Sequence, residues 1–167
     1  IKEVVLNLGA YIIKLSGKNE DLEENKKMIV ESIQSGNAYN KFLELVQNQN
    51  GKVEYIKDLE KLDKAKYIMP VIAKKTGYIK SINAELVGKL SVYLGAGRIR
   101  KEDEIDNTVG FIFNKKVGDK VQNGDILVYV HSNDEEKCKY SINELENIIE
   151  ITENEISKPN HIIGIVE

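Results

Sequence analysis

Residues 93–106, Y-L-G-A-G-R-I-R-K-E-D-E-I-D, carry the densest mixture of charge and turn-forming residues in the chain. Neighbouring carboxylates of this kind can exchange protons with a substrate or hold a cation. The carboxylates are Glu102, Asp103, Glu104 and Asp106, and the cations among them are Arg98, Arg100 and Lys101. Because cations stand between the acids, we expect an ion-pair network that fixes the loop, in preference to an acid–base or cation site. The glycines of L-G-A-G-R are expected to stop a helix and form a tight turn.

Two histidines and one cysteine are the other side chains that could take part in a reaction. His131 ends a predicted strand and His161 follows Pro159, and at both positions we expect a strand-end residue and not a catalytic base. Cys138 lies on the apolar stripe of a predicted helix, where a thiol behaves as an inert core residue. No nucleophile with an adjacent base, phosphate loop or metal-ligand cluster stands out. We therefore predict no catalytic, cofactor-binding or metal-binding residue in this chain.

Composition limits the class of protein. Of 167 residues, 41% are hydrophobic and 31% are charged, which is typical of a folded protein with one domain or two small ones. The net charge of −3 provides no electrostatic footprint for nucleic acid. No apolar run reaches the roughly 18 residues of a membrane span, and no signal peptide is visible. A single cysteine excludes an internal disulfide, so we expect a reducing cytoplasm. From the net charge and the lack of a long apolar run we expect no nucleic-acid partner and no membrane partner.

The first part of the chain has the pattern of helices. Apolar residues at positions 1–15 fall on two helical faces, which is typical of a helix buried between partners. A second helix is predicted after Asp21, which has capping-box spacing to Glu24, and a third is capped by Asn37. No initiator Met or capping residue precedes the first helix, so we expect a C-terminal piece trimmed inside or next to a helix. Residues 52–66 are charged and weakly periodic, as in a connector.

From Tyr67 onward the apolar period changes toward two, which favours strands. Pro70 demotes the first strand to a sheet edge or marks a bulge. Helices are predicted after Asn83 and after a cap at Ser132 or Asn133, and the I-I-E-I-T run that follows suits either a helix or a strand. The strands are predicted at residues 67–73, 77–82, 109–113, 126–131 and 161–166. The predicted class is α+β, with three helices in residues 1–51, a connector at 52–66 and an α+β domain at 67–167.

Residues 117–130, V-G-D-K-V-Q-N-G-D-I-L-V-Y-V, resemble the turn-and-strand signature of biotinyl and lipoyl carrier domains. Gly118-Asp119 and Asn123-Gly124-Asp125 predict tight turns, and an apolar strand follows them. A carrier also needs a lysine on an exposed hairpin tip in an E-A-M-K-like context. Here the strand runs into His131-Ser132-Asn133-Asp134 instead. A freestanding binding or carrier-like module without an attachment lysine is therefore the alternative function.

Residues 77–133 resemble the C-terminal domain of pyrimidine-nucleoside phosphorylases, a family that includes the thymidine phosphorylases. The elements L-G-A-G-R, K-E-D-E-I-D and K-K-V-G-D-K-V occur in the family's order and at its intervals. V-L-N-L-G-A-Y, D-L-E-E, S-G-N-A-Y-N-K-F and the final I-I-G-I-V-E are also similar to the family, so the likeness covers nearly the whole chain. It implies that residues 1–51 come from the end of a large α/β phosphorylase domain. It also implies an α/β-hammerhead-like, barrel-sandwich-related domain after them.

The resemblance carries expectations about function. Members of the family cleave a pyrimidine nucleoside with inorganic phosphate, giving the free base and a pentose 1-phosphate, usually as homodimers. The family's Lys-x-Ser-Thr-Gly-Gly-like phosphate loop and S-G-R-G-L-G-H-T-G-G-T-like signature do not occur here. The residues that hold the base and a monovalent cation also belong to earlier segments of the family. The resemblance thus implies a C-terminal fragment that is inactive alone and whose partner is the rest of its own polypeptide.

Overall fold

The computed structural model describes residues 1–166, and they form two compact units. One unit comprises Ile1–Leu62 together with residues 160–166, and the other comprises Asp63–Pro159. The first unit is helical, whereas the second combines helices with small antiparallel sheets. The predicted α+β class is confirmed. The division falls inside the region 52–66 that has the sequence character of a connector.

The helical unit contains four helices and a short 3₁₀ turn at Leu59–Lys61. The helices are α1 (Lys2–Leu15), α2 (Leu22–Gln34), α3 (Asn37–Asn48) and α4 (Val53–Lys57). Asp21 caps α2 as predicted, because its side chain accepts hydrogen bonds from the backbone N–H groups of Glu23 and Glu24. Asn37 was wrongly predicted as the cap of α3. Gly36 is the cap, with a left-handed φ of 80°, and this sharp link places Asn37 inside the helix.

A buried asparagine joins α1 to the chain that follows it. Asn25 is completely buried, and its Nδ2 donates to the carbonyl oxygens of Ala10 at 3.2 Å and Asn19 at 2.9 Å. These bonds pin α2 against α1 and the turn between them. The other apolar face of α1 stays open: Leu8 is 62% exposed and Ile12 is 68% exposed.

The second unit contains two three-stranded antiparallel sheets and two helices. Its elements are β1 (Tyr67–Ile72), β2 (Gly77–Ile82), α5 (Ala84–Leu94), β3 (Gly110–Phe113), β4 (Lys120–Val121), β5 (Ile126–Ser132), α6 (Glu135–Ile148) and β6 (Ile149–Thr152). One sheet has the order β1-β5-β3 and the other has the order β4-β2-β6. β1 is an edge strand, as Pro70 predicted.

One apolar core joins the two sheets and both helices of this unit. Five fully buried side chains show this: four come from strands of both sheets and one comes from α6. They are Val71, Val128, Ile79, Val121 and Leu145. The alternation of strand side chains between two faces places these residues on one side. The short strand β4 adds Val121 to this core.

The ends of two elements differ from the sequence predictions. Asp134 caps α6, because its Oδ1 accepts from the N–H of Lys137 at 3.0 Å, so the prediction of Ser132 or Asn133 was wrong. Ser132 is buried at the end of β5, where its hydroxyl donates to the carbonyl of Asp134. The side chain of Asn133 bonds to Asp106 and not to the start of the helix. The I-I-E-I-T run is divided between the two structures that it suited, since α6 ends at Ile148 and β6 begins at Ile149.

Residues 161–166 do not form the strand that was predicted. They lie against α1 in the helical unit, next to Val4, Leu8 and Tyr11. A helix satisfies its own backbone groups and offers no open strand edge, so a β-rich segment beside it finds no ladder partner, and Ile163 and Val166 stay almost fully exposed. His161 lies in this irregular segment, with its Nδ1 3.3 Å from Oε2 of Glu3.

β2 and β6 approach each other closely at Gly77. A Cβ at this buried position would lie 2.3 Å from the carbonyl oxygen of Thr152. Because that oxygen belongs to the backbone of the paired strand, we expect Gly77→Ala to lower the free energy of unfolding by about 1–3 kcal/mol. Chemical denaturation of the chain measures this change.

Gly88→Ala is the matched control, because Gly88 lies in α5 and a Cβ there has nothing within 4 Å. It should raise the stability by about 0.5–1 kcal/mol, since alanine favours a helix over glycine. Equal effects of the two substitutions would contradict the close approach of β2 and β6.

Candidate functional site

The charged loop identified in the sequence follows α5 and is held by hydrogen bonds to backbone carbonyl groups and to its own aspartate side chains. Gly95 ends α5 in the left-handed region with φ 112°, as predicted, and its carbonyl accepts from the N–H of Asp106 at 2.9 Å. Oδ2 of Asp103 accepts from the N–H groups of Ile99 at 3.0 Å and Arg100 at 2.8 Å. The loop is therefore a closed turn whose base is fixed at both ends.

Asp106 is the centre of a polar cluster that ties this loop to the end of β5. Its Oδ1 accepts from the backbone N–H of Thr108 at 2.9 Å and from the Thr108 hydroxyl at 2.6 Å. Its Oδ2 accepts from Nδ2 of Asn133 at 2.7 Å. Asn133 also accepts from the N–H of Lys66 at 2.8 Å through its Oδ1. The hydrogen bonds from Thr108, followed by the bond from Asn133, lower the pKa of Asp106 from its ordinary value of 3.8.

The ion-pair network expected for the loop is not present. Within residues 1–166, Arg98, Lys101 and Glu102 take part in no ion pair, and Arg98 is exposed. The short aspartates bond to nearby N–H groups and hydroxyls instead, which fixes a turn without holding two long side chains in one geometry. The aspartates thus serve the shape of the loop, and the cations point to solvent.

The histidines and the cysteine occupy separate places. His131 lies on β5, half-buried and paired in register with Ile68 on β1 and Gly110 on β3. Cys138 is fully buried in α6, and burial, followed by the nearby charge of Glu135, raises the pKa of its thiol. Neither His131 nor Cys138 belongs to the cluster around Asp106. Among the described residues 1–166, no group of three or more His, Cys, Asp or Glu side chains is placed to hold a metal ion.

Two further aspartates fix turns between strands. Asp119 pairs with Lys158 at 2.7 Å and Asp125 pairs with Lys115 at 3.1 Å. Hydrogen bonds from Lys158 and then from the N–H of Lys116 lower the pKa of Asp119. These turns are the V-G-D and N-G-D motifs of the carrier-like signature, so the signature marks turn geometry. No helix of residues 1–166 has the length and apolar character needed to cross a membrane.

Comparison with known proteins gives the family. Residues 78–152 match the model of the pyrimidine nucleoside phosphorylase C-terminal domain. This chain belongs to the pyrimidine-nucleoside phosphorylase family. It is 36% identical over 164 residues to the pyrimidine-nucleoside phosphorylases of Staphylococcus aureus strains USA300, COL and N315, an alignment that covers 98% of the chain. The chain spans 36% of the length of these curated relatives.

The match places the cluster around Asp106 inside the phosphorylase C-terminal domain. Sequence reasoning selected Asp106 and missed both of its partners. The D-N-T sequence is a local signal for Thr108, because aspartate side chains commonly accept from the backbone two residues onward. Asn133 has no such signal, since it approaches only through the folding of β5 beside the loop.

We predict that Asp106 makes stability depend on pH. Its pKa is lowered in the folded state, so its stabilising effect is complete above the ordinary value of 3.8 and is lost as the pH falls through the lower folded value. Asp106→Asn should therefore destabilise the chain at pH 7 and have a smaller effect below pH 3.8. Urea unfolding at both pH values measures the difference.

Glu104→Gln is the control, because Glu104 is exposed and takes part in no ion pair among the described residues. It should change stability little at either pH. An Asp106→Asn effect that is the same at both pH values would contradict the hydrogen-bonded carboxylate described here.

Proposed function

We propose that this chain is the C-terminal part of an enzyme that cleaves a pyrimidine nucleoside with inorganic phosphate. The products are the free base and a pentose 1-phosphate. One observation carries the proposal: the likeness to proteins named pyrimidine-nucleoside phosphorylase runs through 98% of the chain, across the helical unit and the α+β unit alike. A domain that was merely shared between unrelated proteins would be expected to match over the second unit alone.

The role proposed for this part of the enzyme is structural, and the chain alone is expected to be inactive. The side chains of this chain that could most readily take part in a reaction are already hydrogen-bonded or buried. Asp103 and Asp106 accept hydrogen bonds within their own loop and from Asn133, and Cys138 is buried. The chemistry is therefore assigned to the part of the enzyme that corresponds to the other segments of the relatives.

The partners proposed for the whole enzyme follow from the family. Inorganic phosphate is the co-substrate, a pyrimidine nucleoside such as uridine or thymidine is the substrate, and a monovalent cation supports the structure. The enzyme is proposed to act as a cytoplasmic homodimer. Bringing phosphate and nucleoside together as a cleft closes would accelerate the reaction by proximity and by electrostatic support of an oxocarbenium-like transition state.

The carrier-like alternative is not favoured. β5 ends at Ser132 and α6 begins at Glu135, so a helix follows where a carrier needs a lysine on a hairpin tip. The turns at Asp119 and Asp125 explain the sequence signature without an attached group.

The proposed activity is tested by assaying base release from uridine and thymidine. We expect the complete protein that contains this chain to release base only when phosphate is present, and the 167-residue chain to release none. Chromatography of free uracil and thymine measures both reactions, with inosine as the purine control. Turnover by the chain alone would show that its own residues perform the chemistry. Phosphate-independent release by the complete protein would contradict phosphorolysis.

A further inference from the structure

A cleft of about 600 Å³ lies in the second unit, away from the loop around Asp106. We call it the edge cleft, because the end of β1 and the whole of β6 form its walls. Both strands are terminal in their sheets, whose orders are β1-β5-β3 and β4-β2-β6. An edge strand carries backbone N–H and C=O groups that have no ladder partner.

The lining of the edge cleft shows that backbone edges face it. Ile149, Glu150, Ile151 and Thr152 are consecutive in β6, and all of them line the cleft. Successive side chains of a strand point to opposite faces of the sheet, so a cleft over one face would be lined by alternate residues only. A consecutive run places the edge of β6 along the wall. The consecutive residues at 71–73 repeat this arrangement at the end of β1.

Charge on the rim is uneven. Nζ of Lys74 lies 2.5 Å from Glu146, and Nζ of Lys80 lies 2.9 Å from Glu150, so these pairs neutralise one another. Lys75 also lines the cleft, is exposed, and takes part in no ion pair within residues 1–166. The rim therefore has one uncompensated ammonium group above a floor that includes Val71, Leu127 and Ile149.

We propose that the edge cleft binds an extended peptide segment by strand addition to β6, with an acidic side chain of the peptide meeting Lys75. Main-chain hydrogen bonds supply affinity in this mode of recognition, and pockets for alternate side chains supply selectivity. β6 is the pairing edge, because β1 contains Pro70, which has no N–H to donate. Apolar side chains of the peptide cover Ile72, which lines the cleft and is 44% exposed, and the half-buried Ile151. This site is independent of the proposed phosphorolysis.

A peptide titration of the ¹⁵N-labelled chain tests the site. The probe is an acetylated and amidated hexapeptide of alternating valine and threonine with one central glutamate, and its partner carries lysine in place of glutamate. We expect the acidic peptide to shift the amide resonance of Ile151, which faces the open side of β6 because the carbonyl oxygen of the next residue, Thr152, faces β2. The lysine peptide should bind about fivefold more weakly or worse.

Two charge reversals separate the site from general electrostatics. Lys75→Glu should weaken the acidic peptide by about fivefold or more. Lys101→Glu is the matched control, because Lys101 is also exposed and outside any ion pair of the described residues, and it should leave the affinity unchanged.

Four results would overturn the proposal. One is that neither peptide shifts the β6 amides at about 1 mM, a concentration that reveals even weak binding. Another is equal weakening by Lys75→Glu and Lys101→Glu. A third is a response to inorganic phosphate at Lys75 without any response to the peptides, which would assign the cleft to small anions. The last is a shift of the β6 amides with protein concentration alone, which would assign the edge to a second copy of the chain.

Discussion

The α+β unit depends on the double pairing of its strand β5. Residues Ile126–Ser132 bond to β1 on one side and to β3 on the other, and Val128 and Val130 are completely buried between the sheets and helices. A slip of one residue would turn both valines away from the core, so the buried face fixes the register of both neighbours. Asn133, the next residue after β5, then holds Asp106 and Lys66. The position of the charged loop is thus a consequence of the register of β5.

Much of this fold could be predicted from local sequence, because the deciding interactions are local. Asp21 caps α2 through N–H groups two and three residues away, and Gly95 ends α5 through its left-handed backbone. The turns at Asp119 and Asp125 follow from the G-D motifs in the same way. The period of apolar residues located β1, β2, β3 and β5 and left β6 open between a helix and a strand. It missed the short β4, whose two residues give too little periodicity.

The remaining features depend on contacts between distant residues. The sequence predicted Ser132 or Asn133 as the cap of α6, but Asp134 has that role because β5 buries Ser132 and the loop engages Asn133. Residues 161–166 have strand-like composition, but the element that they lie beside is a helix. The prediction of ion pairs in the loop was wrong for a related reason. The spacing of charged residues in the sequence does not show which N–H groups folding places beside Asp103 and Asp106. The loop that resembled a reactive site is therefore a rigid turn and a family marker.

Native-state hydrogen exchange of the chain tests the central role of β5 most directly. Residues 128–131 of β5 are paired to neighbours on both sides, whereas β1 and β3 have one open edge each. Exchange protection follows the stability of the local hydrogen-bonded unit. We therefore predict that the amides of Val128 and Val130 exchange most slowly within Asp63–Pro159. Exchange of these amides as fast as those along the open edges of β1 and β3 would contradict the account.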